Sequence, residues 1–160
     1  MSLEANAQLI KESVLGEELT LEECKQLSDI IKHKELSAEE VLFEAGSKDG
    51  NLYILIDGKL DIYKDSGTTA KAIHIATVKK GAMIGELSFL DGEAHSMRLS
   101  ARKSASVLYL SKDDFEAKLL DNPKLIYNVM RSIMRYSHKL QHKITGDNIE
   151  MQRMMQNGYM

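Results

Sequence analysis

The order of apolar and polar residues changes character along the chain, and the first part has a helical pattern. Residues 6–32 carry apolar side chains at helical spacing, with an interruption at Gly16. Thr20 is followed three residues later by Glu23, a capping-box pattern that predicts the start of a second helix. The N-terminal segment is therefore predicted to form two short helices that pack on the rest of the protein.

Between Val41 and Leu110 the pattern becomes that of β-strands. Glycines recur between short runs of β-branched and aromatic residues, several of which alternate apolar and polar positions. Asp57-Gly58 predicts a hairpin turn, and Asp65-Ser66-Gly67 predicts a weaker one. Turn signals at intervals of roughly eight to twelve residues are typical of an all-β sandwich or barrel. The predicted strands are Val41–Phe43, Leu52–Ile56, Leu60–Tyr63, Ala72–Ala76, Met97–Ala101 and Ser106–Leu110.

Two further helices are predicted after the strands. Ser111, with Asp114 three residues later, predicts a helix start, and Pro123 suits the first turn of the next helix. The first of these helices is expected to turn Phe115, Leu119 and Leu120 inward.

The last helix, predicted from Pro123 to about Ile144, carries an apolar seam. Its positions recur at alternating spacings of four and three residues, which is typical of helix-to-helix packing. We expect the first half to face the chain's own β-structure and the rest to face a second copy in a parallel homodimer. The alternative is a helix folded back on its own domain. The seam consists of Ile126, Met130, Ile133, Ser137, Leu140 and Ile144, continued by Met151 and Met154 beyond a weak point at Gly146-Asp147.

The chain has 160 residues, of which 43% are hydrophobic and 28% are charged, as in an ordinary globular domain. This composition excludes collagen, a largely disordered chain and a multidomain enzyme. No apolar run approaches the length of about 18 residues that crosses a bilayer, and the first residues lack a secretion signal. We therefore expect a cytoplasmic protein. The single cysteine, Cys24, is expected to be a buried structural thiol.

Charge is distributed unevenly along the chain. Residues 1–45 contain eleven Asp or Glu against four Lys, whereas residues 123–160 contain six Lys or Arg against two acids. The basic excess at residues 123–160 is no larger than that of an ordinary solvated helix. With a net charge of −3, the chain as a whole lacks the positive charge typical of a nucleic-acid-binding protein. Only about fifteen residues follow position 145, too few for a helix-turn-helix. We therefore expect no DNA binding by this chain.

These patterns divide the chain into three segments. We expect an N-terminal helical segment at residues 1–36, a β-roll at 37–111, and C-terminal helices at 112–160 that serve dimerisation or cover a ligand. The segment at residues 81–101 carries the candidate chemistry.

A strand that ends at Gly85 and is followed by Glu86-Leu87-Ser88-Phe89-Leu90 predicts a tight turn into a very short helix. The glycine lets a ligand approach the backbone, and the first N–H groups of a helix lack internal partners. Such donors favour an anion, and Glu86 beside them would accept hydrogen bonds from hydroxyl groups of the same ligand. A phosphate joined to a sugar meets both conditions.

These residues resemble the phosphate-binding cassette of the cyclic-nucleotide-binding domain family. This family is a jelly roll found in catabolite-activator-type regulators, in regulatory subunits of cyclic-nucleotide-dependent kinases and in gated channels. The segment from Gly85 to Phe89 matches the opening of the cassette, and Met97-x-Leu99-x-Ala101 matches its closing strand. Other turn glycines of the family correspond to Gly46, Gly58 and Gly81.

The resemblance implies a mainly β fold, an eight-stranded jelly-roll β-barrel with N-terminal helices and a long C-terminal helix. It also implies a cyclic nucleotide, cAMP or cGMP, as an effector rather than a cofactor. The residue that covers the base is expected on the last helix, where the candidates are Asn128, Arg131, Ser132 and Tyr136. The ligand-binding residues that the resemblance implies are Gly85, Glu86, Leu87, Ser88, His95 and Ser96.

His95 departs from the family's pattern, which has arginine at this position. Arginine holds a cyclic phosphate with a fixed charge and a planar fork of donors, whereas neutral imidazole offers one N–H. Losing a charge-assisted pair typically costs about 1.5–3 kcal/mol. The nearest arginine, Arg98, lies on the strand face opposite Met97 and Leu99 and is expected to point to solvent.

Three functions remain open from the sequence. In the first, the domain binds a cyclic nucleotide weakly. In the second, it binds a different anionic small molecule. In the third, it retains the β-roll without a ligand and acts in dimerisation or in docking a partner protein. The sequence has no phosphate-binding Gly-rich loop, nucleophile elbow or zinc-ligand spacing. We therefore expect neither an enzyme nor a metal site.

Overall fold

A computed structural model of the chain describes residues 3–65, 72–118 and 120–158, with side chains described for residues 4–64, 72–118 and 120–140. This part of the chain forms eight strands, five α-helices and a short 3-10 helix at Leu15–Glu18. The strands are β1 Lys32–Leu36, β2 Val41–Phe43, β3 Asn51–Asp57, β4 Leu60–Asp65, β5 Ala72–Val78, β6 Met83–Ile84, β7 Arg98–Ala101 and β8 Ala105–Ser111. The α-helices are α1 Leu3–Glu12, α2 Leu21–Ser28, α3 Glu86–Asp91, α4 Lys112–Ala117 and α5 Pro123–Gly158.

The strands form two antiparallel four-stranded sheets. The first sheet has the order β1-β8-β3-β6, and the second has the order β2-β7-β4-β5. The chain crosses repeatedly from one sheet to the other, as in a jelly roll. This arrangement confirms the predicted fold class, mainly β with flanking helices. Within the described residues, no helix has the length and apolarity needed to cross a membrane.

Two hydrophobic cores lie on either side of the first sheet, because successive side chains of a strand point to opposite faces. In β3, Leu52 and Ile54 belong to the core between this sheet and the helices. Tyr53 and Leu55 belong to the core between the two sheets. The central strand β3 is therefore buried on both faces, which gives it a rigid position beside the candidate site.

The predicted N-terminal ends of α2 and α4 are confirmed. Thr20 and Glu23 form the complete capping box, in which each side chain bonds the other residue's backbone N–H at 3.1 Å. Ser111 accepts a hydrogen bond from the Asp114 N–H at 3.1 Å. These caps satisfy N–H groups that have no partner inside a helix.

Strand β1 was not predicted, and it lies within the segment assigned to helices. Its sequence from Lys32 to Leu36 is mostly polar, and only Leu36 is buried. An edge strand with one buried apolar residue gives almost no alternating signal. The strand is recognisable only from its pairing with β8.

Two expectations for the C-terminal part were wrong. Leu120 is 92% exposed rather than inward, because α4 ends at Ala117 and Leu120 lies in the turn that follows. Helix α5 extends to Gly158 instead of ending at about Ile144, since a glycine such as Gly146 costs a helix only about 1 kcal/mol. Leu119 and the predicted turn at Ser66-Gly67 lie outside the described residues.

Helix α5 begins where Pro123 was predicted to start it. The Asn122 side chain caps the helix by accepting a hydrogen bond from the Leu125 N–H at 3.2 Å. The buried face is centred on Leu125, Val129 and Ile133, each at most 1% exposed. This face includes Ile133 of the predicted seam, whereas the seam residues Ile126 and Met130 lie at its edge and are only partly buried.

Polar contacts also attach α5 to the N-terminal helices. With the apolar face, they place the first half of the helix against its own domain, as predicted. Ile144 and Met151, on which the dimer half of the seam depends, lie beyond the described side chains. The contacts join Asn128 to Glu23 at 2.6 Å, Arg135 to Glu18 at 2.8 Å and Lys139 to Glu17 at 3.4 Å.

Candidate functional site

The predicted tight turn at Gly85 is confirmed. Gly85 has φ of +81° in the left-handed region and caps the six-residue helix α3. A Cβ at this position would lie 2.9 Å from the Asn51 carbonyl oxygen, 3.4 Å from His95 Cε1 and 3.6 Å from Tyr53 Cδ2. Both the backbone conformation and the crowding therefore require glycine. The cassette turn, His95 and the start of β3 meet at this point.

His95 is buried at the end of the cassette. Its ring stacks on Phe43, with centroids 3.6 Å apart and planes 10° from parallel. The His95 side chain is only 4% exposed. Its carbonyl accepts a hydrogen bond from the Gly46 N–H at 2.6 Å, and its N–H donates to the Ser47 carbonyl at 2.8 Å. The structure therefore fixes both the ring and the backbone of His95 against the loop between β2 and β3.

The imidazole of His95 is paired with a carboxylate of the same chain. Nε2 of His95 lies 2.9 Å from Oδ1 of Asp49. The Tyr53 hydroxyl donates to Oδ2 of Asp49 at 2.6 Å, and the Asn51 N–H donates to Oδ1 at 3.0 Å. An ionised carboxylate only accepts hydrogen bonds, so Nε2 carries the proton in this arrangement.

The hydrogen bonds around Asp49 shift two pKa values. Burial tends to raise the pKa of Asp49, but the bonds from Tyr53, Asn51 and His95 outweigh it and lower that pKa. Burial and the bond to Asp49 raise the pKa of the Tyr53 phenol. Asp49 is therefore an ionised carboxylate in a network of donors, with 27% of its side chain exposed.

Sequence reasoning missed Asp49 and Tyr53. The available signal was the run Lys48-Asp49-Gly50-Asn51, in which an aspartate beside a glycine indicates a turn. The Asp49 side chain accepts a hydrogen bond from the backbone N–H of Asn51, two residues later, as expected for such a turn. Its pairing with His95 joins residues 46 positions apart, so no local pattern reveals it.

Glu86 is the first residue of α3, directly after the cassette turn. Burial raises the pKa of Glu86, and its own backbone N–H opposes that shift. Burial also raises the pKa of Tyr136, the Glu86 charge adds to this shift, and a hydrogen bond with the Met83 backbone opposes it. The phenol of Tyr136 is therefore within electrostatic reach of the Glu86 carboxylate.

The other predicted ligand-binding residues differ in exposure. Leu87 is 62% exposed, and Ser96 is also exposed. Ser88 is 3% exposed, and its Oγ has no hydrogen-bond partner among the described residues. The structure therefore brings Gly85 and His95 together, leaves the side chains of Leu87 and Ser96 in solvent, and buries that of Ser88.

Arg98 contacts Tyr63 on the neighbouring strand β4. Its guanidinium carbon lies 4.9 Å from the centre of the Tyr63 ring, its register partner on β4. Leu99 next to it is buried in the core between the sheets. Arg98 therefore lies on the outer face, as predicted, but stacks on an aromatic ring instead of extending freely into solvent.

Of the four helix residues considered for covering a base, Tyr136 is the one with a described interaction with the cassette. Asn128 bonds to Glu23, Arg131 is exposed, and Ser132 is buried. Within the described part of the chain, no group of three or more His, Cys, Asp or Glu is placed to hold a metal ion.

Two facing sheets with a glycine turn and a short helix between β6 and β7 define a jelly-roll domain that carries a cassette turn. The profile of the family described as "Cyclic nucleotide-binding domain" matches residues 33–122. This chain belongs to the cyclic nucleotide-binding domain family.

The chain is similar to several solved structures and to parts of longer proteins. A cyclic nucleotide-binding domain from Methylobacillus flagellatus has a TM-score of 0.81 and 22% identity, covering 93% of this chain and 85% of that one. The regulatory domain of Toxoplasma gondii PKA with cAMP has a TM-score of 0.71 and 16% identity, covering 88% of this chain and 50% of that one. The patatin-like phospholipase domain-containing protein 7 of Rattus norvegicus is 21% identical over 73% of this chain, which spans only 9% of that protein.

Proposed function

We propose that this chain is a regulatory domain in which the β-roll at residues 37–111 senses an anionic, nucleotide-like effector. The C-terminal helices at residues 112–160 respond to that effector. The observation that carries this proposal is the position of the cassette turn, where Gly85 lies against His95 and Tyr136 of α5 is hydrogen-bonded to the Met83 backbone. A ligand at the turn would act on both the roll and the helix.

The proposed phosphate contacts at the turn come from the backbone of α3. The first hydrogen bond of α3 runs from the Phe89 N–H to the Gly85 carbonyl at 3.1 Å. The preceding N–H groups belong to Glu86, Leu87 and Ser88; none has a backbone partner inside the helix, and that of Glu86 bonds its own carboxylate. This role uses only the backbone of Leu87 and Ser88, so it is compatible with the outward and inward directions of their side chains.

The proposed side-chain contacts have separate roles. Glu86 accepts hydrogen bonds from the sugar hydroxyls, while His95 and Ser96 donate to the phosphate. An effector shifts α5 only if it binds one arrangement of the helix more tightly than another. Hydroxyl donors at Glu86 would stabilise its ionised form and so oppose the effect of burial, which raises the pKa of Glu86.

Thermal unfolding with cAMP and cGMP tests the proposed function. A ligand at one hundred times its dissociation constant adds about 2.7 kcal/mol to the stability, so the midpoint is expected to rise with concentration. The Glu86→Gln variant is expected to lose most of this response, because a neutral amide is a weaker acceptor for the hydroxyls. The exposed Glu44→Gln variant is the matched control and should respond as the wild type does. An unchanged midpoint at millimolar concentrations of both nucleotides would contradict the proposal.

A second candidate function is a ligandless dimerisation or protein-docking domain. The observation that favours it is the Asp49–His95 pair, which satisfies the residue at the family's arginine position without a ligand. Absence of a thermal response, together with stable self-association or partner binding, would favour this function.

In either function, we expect the chain to form a homodimer through α5. Tyr127 and Met134 are 66% and 62% exposed and lie seven residues apart on one side of the helix. Met134→Glu is expected to shift the dimer towards monomer in sedimentation velocity, because it places a charge in the apolar contact. Ile73→Glu, at a 53% exposed residue of β5, is the matched control. A dimer that resists Met134→Glu but not Ile73→Glu would place the contact on the β-roll instead.

A further inference from the structure

The Asp49 carboxylate lies at the edge of the imidazole that faces the cassette turn. Nε2 of His95, which bonds Asp49, is next to Cε1 in the ring, and Cε1 is the His95 atom that a Cβ at Gly85 would meet, at 3.4 Å. Asn51 and Tyr53, which also bond Asp49, are the other two residues that crowd Gly85. A single carboxylate therefore holds together the groups that surround the turn.

We propose that Asp49 is an internal competitor for the anion site and limits the affinity of an anionic effector for His95. The proposal rests on the proposed function and specifies how that site is regulated. In the ligand-free protein, the Asp49 carboxylate takes the hydrogen bond that a phosphate oxygen would otherwise take. An anionic effector therefore binds His95 only if it displaces Asp49 or binds despite electrostatic repulsion from the Asp49 carboxylate.

The charges around His95 support competition. Among the described residues, the ion pair recorded for Asp49 is with His95, and no lysine or arginine nitrogen lies within 4.0 Å of its carboxylate. The Asp49 side chain is 27% exposed, so a ligand from solution is able to contact it. Two anions at one imidazole repel each other, because neither is neutralised by a fixed positive charge.

The backbone links the competitor to the cassette. The loop that carries Asp49 is bonded to His95 at two points, through Gly46 and Ser47. Gly46 has φ of +84°, and a Cβ there would meet nothing within 4 Å, so the start of the loop is not crowded. Displacement of Asp49 by an effector would therefore rearrange the loop and the end of the cassette together.

Asp49→Asn tests the proposal, because it removes the charge while keeping the size and a hydrogen-bonding side chain. Isothermal titration calorimetry at constant ionic strength is expected to show cAMP binding at least tenfold tighter than in the wild type. Asp57→Asn removes a charge from an exposed position at the end of β3 and should change the affinity less than threefold. Asp49→Ser provides a second, smaller neutral side chain if Asp49→Asn folds poorly.

A second readout does not require a nucleotide. The ring-proton resonance of His95 in the NMR spectrum, assigned by its loss in His95→Ala, is followed during titration with inorganic phosphate. We expect it to move at lower phosphate concentrations in Asp49→Asn than in the wild type or in Asp57→Asn.

The two readouts separate failure of this proposal from failure of the proposed function. If no variant binds cAMP or cGMP but the His95 resonance of Asp49→Asn responds to phosphate, the nucleotide function is wrong and competition by Asp49 is supported. If wild type and both neutral Asp49 variants bind cAMP equally, competition is overturned and the nucleotide function stands. If His95 in the Asp49 variants responds to neither anion more strongly than in the wild type, competition is also overturned.

Discussion

Replacement of His95 by arginine is expected to tighten cAMP binding by tenfold or more. A guanidinium carries a permanent charge and several donors, so it is able to bond Asp49 and a phosphate at the same time. The imidazole has only two ring nitrogens, and Nε2 is already bonded to Asp49. A charge-assisted hydrogen bond contributes about 1.5–3 kcal/mol, which corresponds to roughly a ten- to hundredfold gain in affinity.

The environment of His95 is suited to this replacement. The ring stacks on Phe43, and a guanidinium also stacks on an aromatic face. Calorimetry of His95→Arg with cAMP measures the gain, and His95→Gln is the control that supplies a donor without a charge. Equal affinities for wild type and His95→Arg would mean that residue 95 does not contact the anionic part of the effector.

Gly85→Ala is expected to destabilise the protein by about 1–3 kcal/mol, towards the upper end of that range. The residue has φ of +81°, and the added Cβ would lie 2.9 Å from the Asn51 carbonyl oxygen. The strand that carries this carbonyl is buried on both faces and has little freedom to move. We also expect the variant to lose cAMP binding, because the crowding displaces the turn from His95.

Gly92→Ala is the matched control for Gly85→Ala. Gly92 caps the other end of α3, has φ of +71°, and has open space where a Cβ would be placed. The Gly92→Ala variant should be destabilised only because alanine disfavours the left-handed backbone conformation, which costs about 1–2 kcal/mol of unfolding free energy. Urea unfolding of both variants gives the difference. Equal losses would show that the backbone around Gly85 relaxes to accept the methyl group.

Local patterns in the sequence were sufficient to predict most of the fold. The strands β3 and β8 have dense apolar runs because both of their faces are buried, and Thr20 and Ser111 carry caps that act within four residues. Strand β1 has only one buried residue and could not be predicted in this way. Its position is determined by pairing with β8, which is distant in sequence.

The candidate site was predictable only in part, for a similar reason. Gly85 and Glu86 belong to a contiguous motif, and the short helix after them follows from local geometry. The partner of His95 is not local, because Asp49 lies on a different loop and reaches the ring only in the folded protein. The interaction of Glu86 with Tyr136 likewise depends on how α5 packs, which the spacing of its apolar residues does not determine.

The two ion pairs that attach α5 to the 3-10 helix differ in their access to water. Lys139 and Glu17 are 66% and 55% exposed, whereas Arg135 and Glu18 are 52% and 25% exposed. Dissolved salt weakens the more exposed pair first. Rising ionic strength would therefore loosen the helix first at Lys139, while Tyr136 and Ile133 stay attached through their apolar packing.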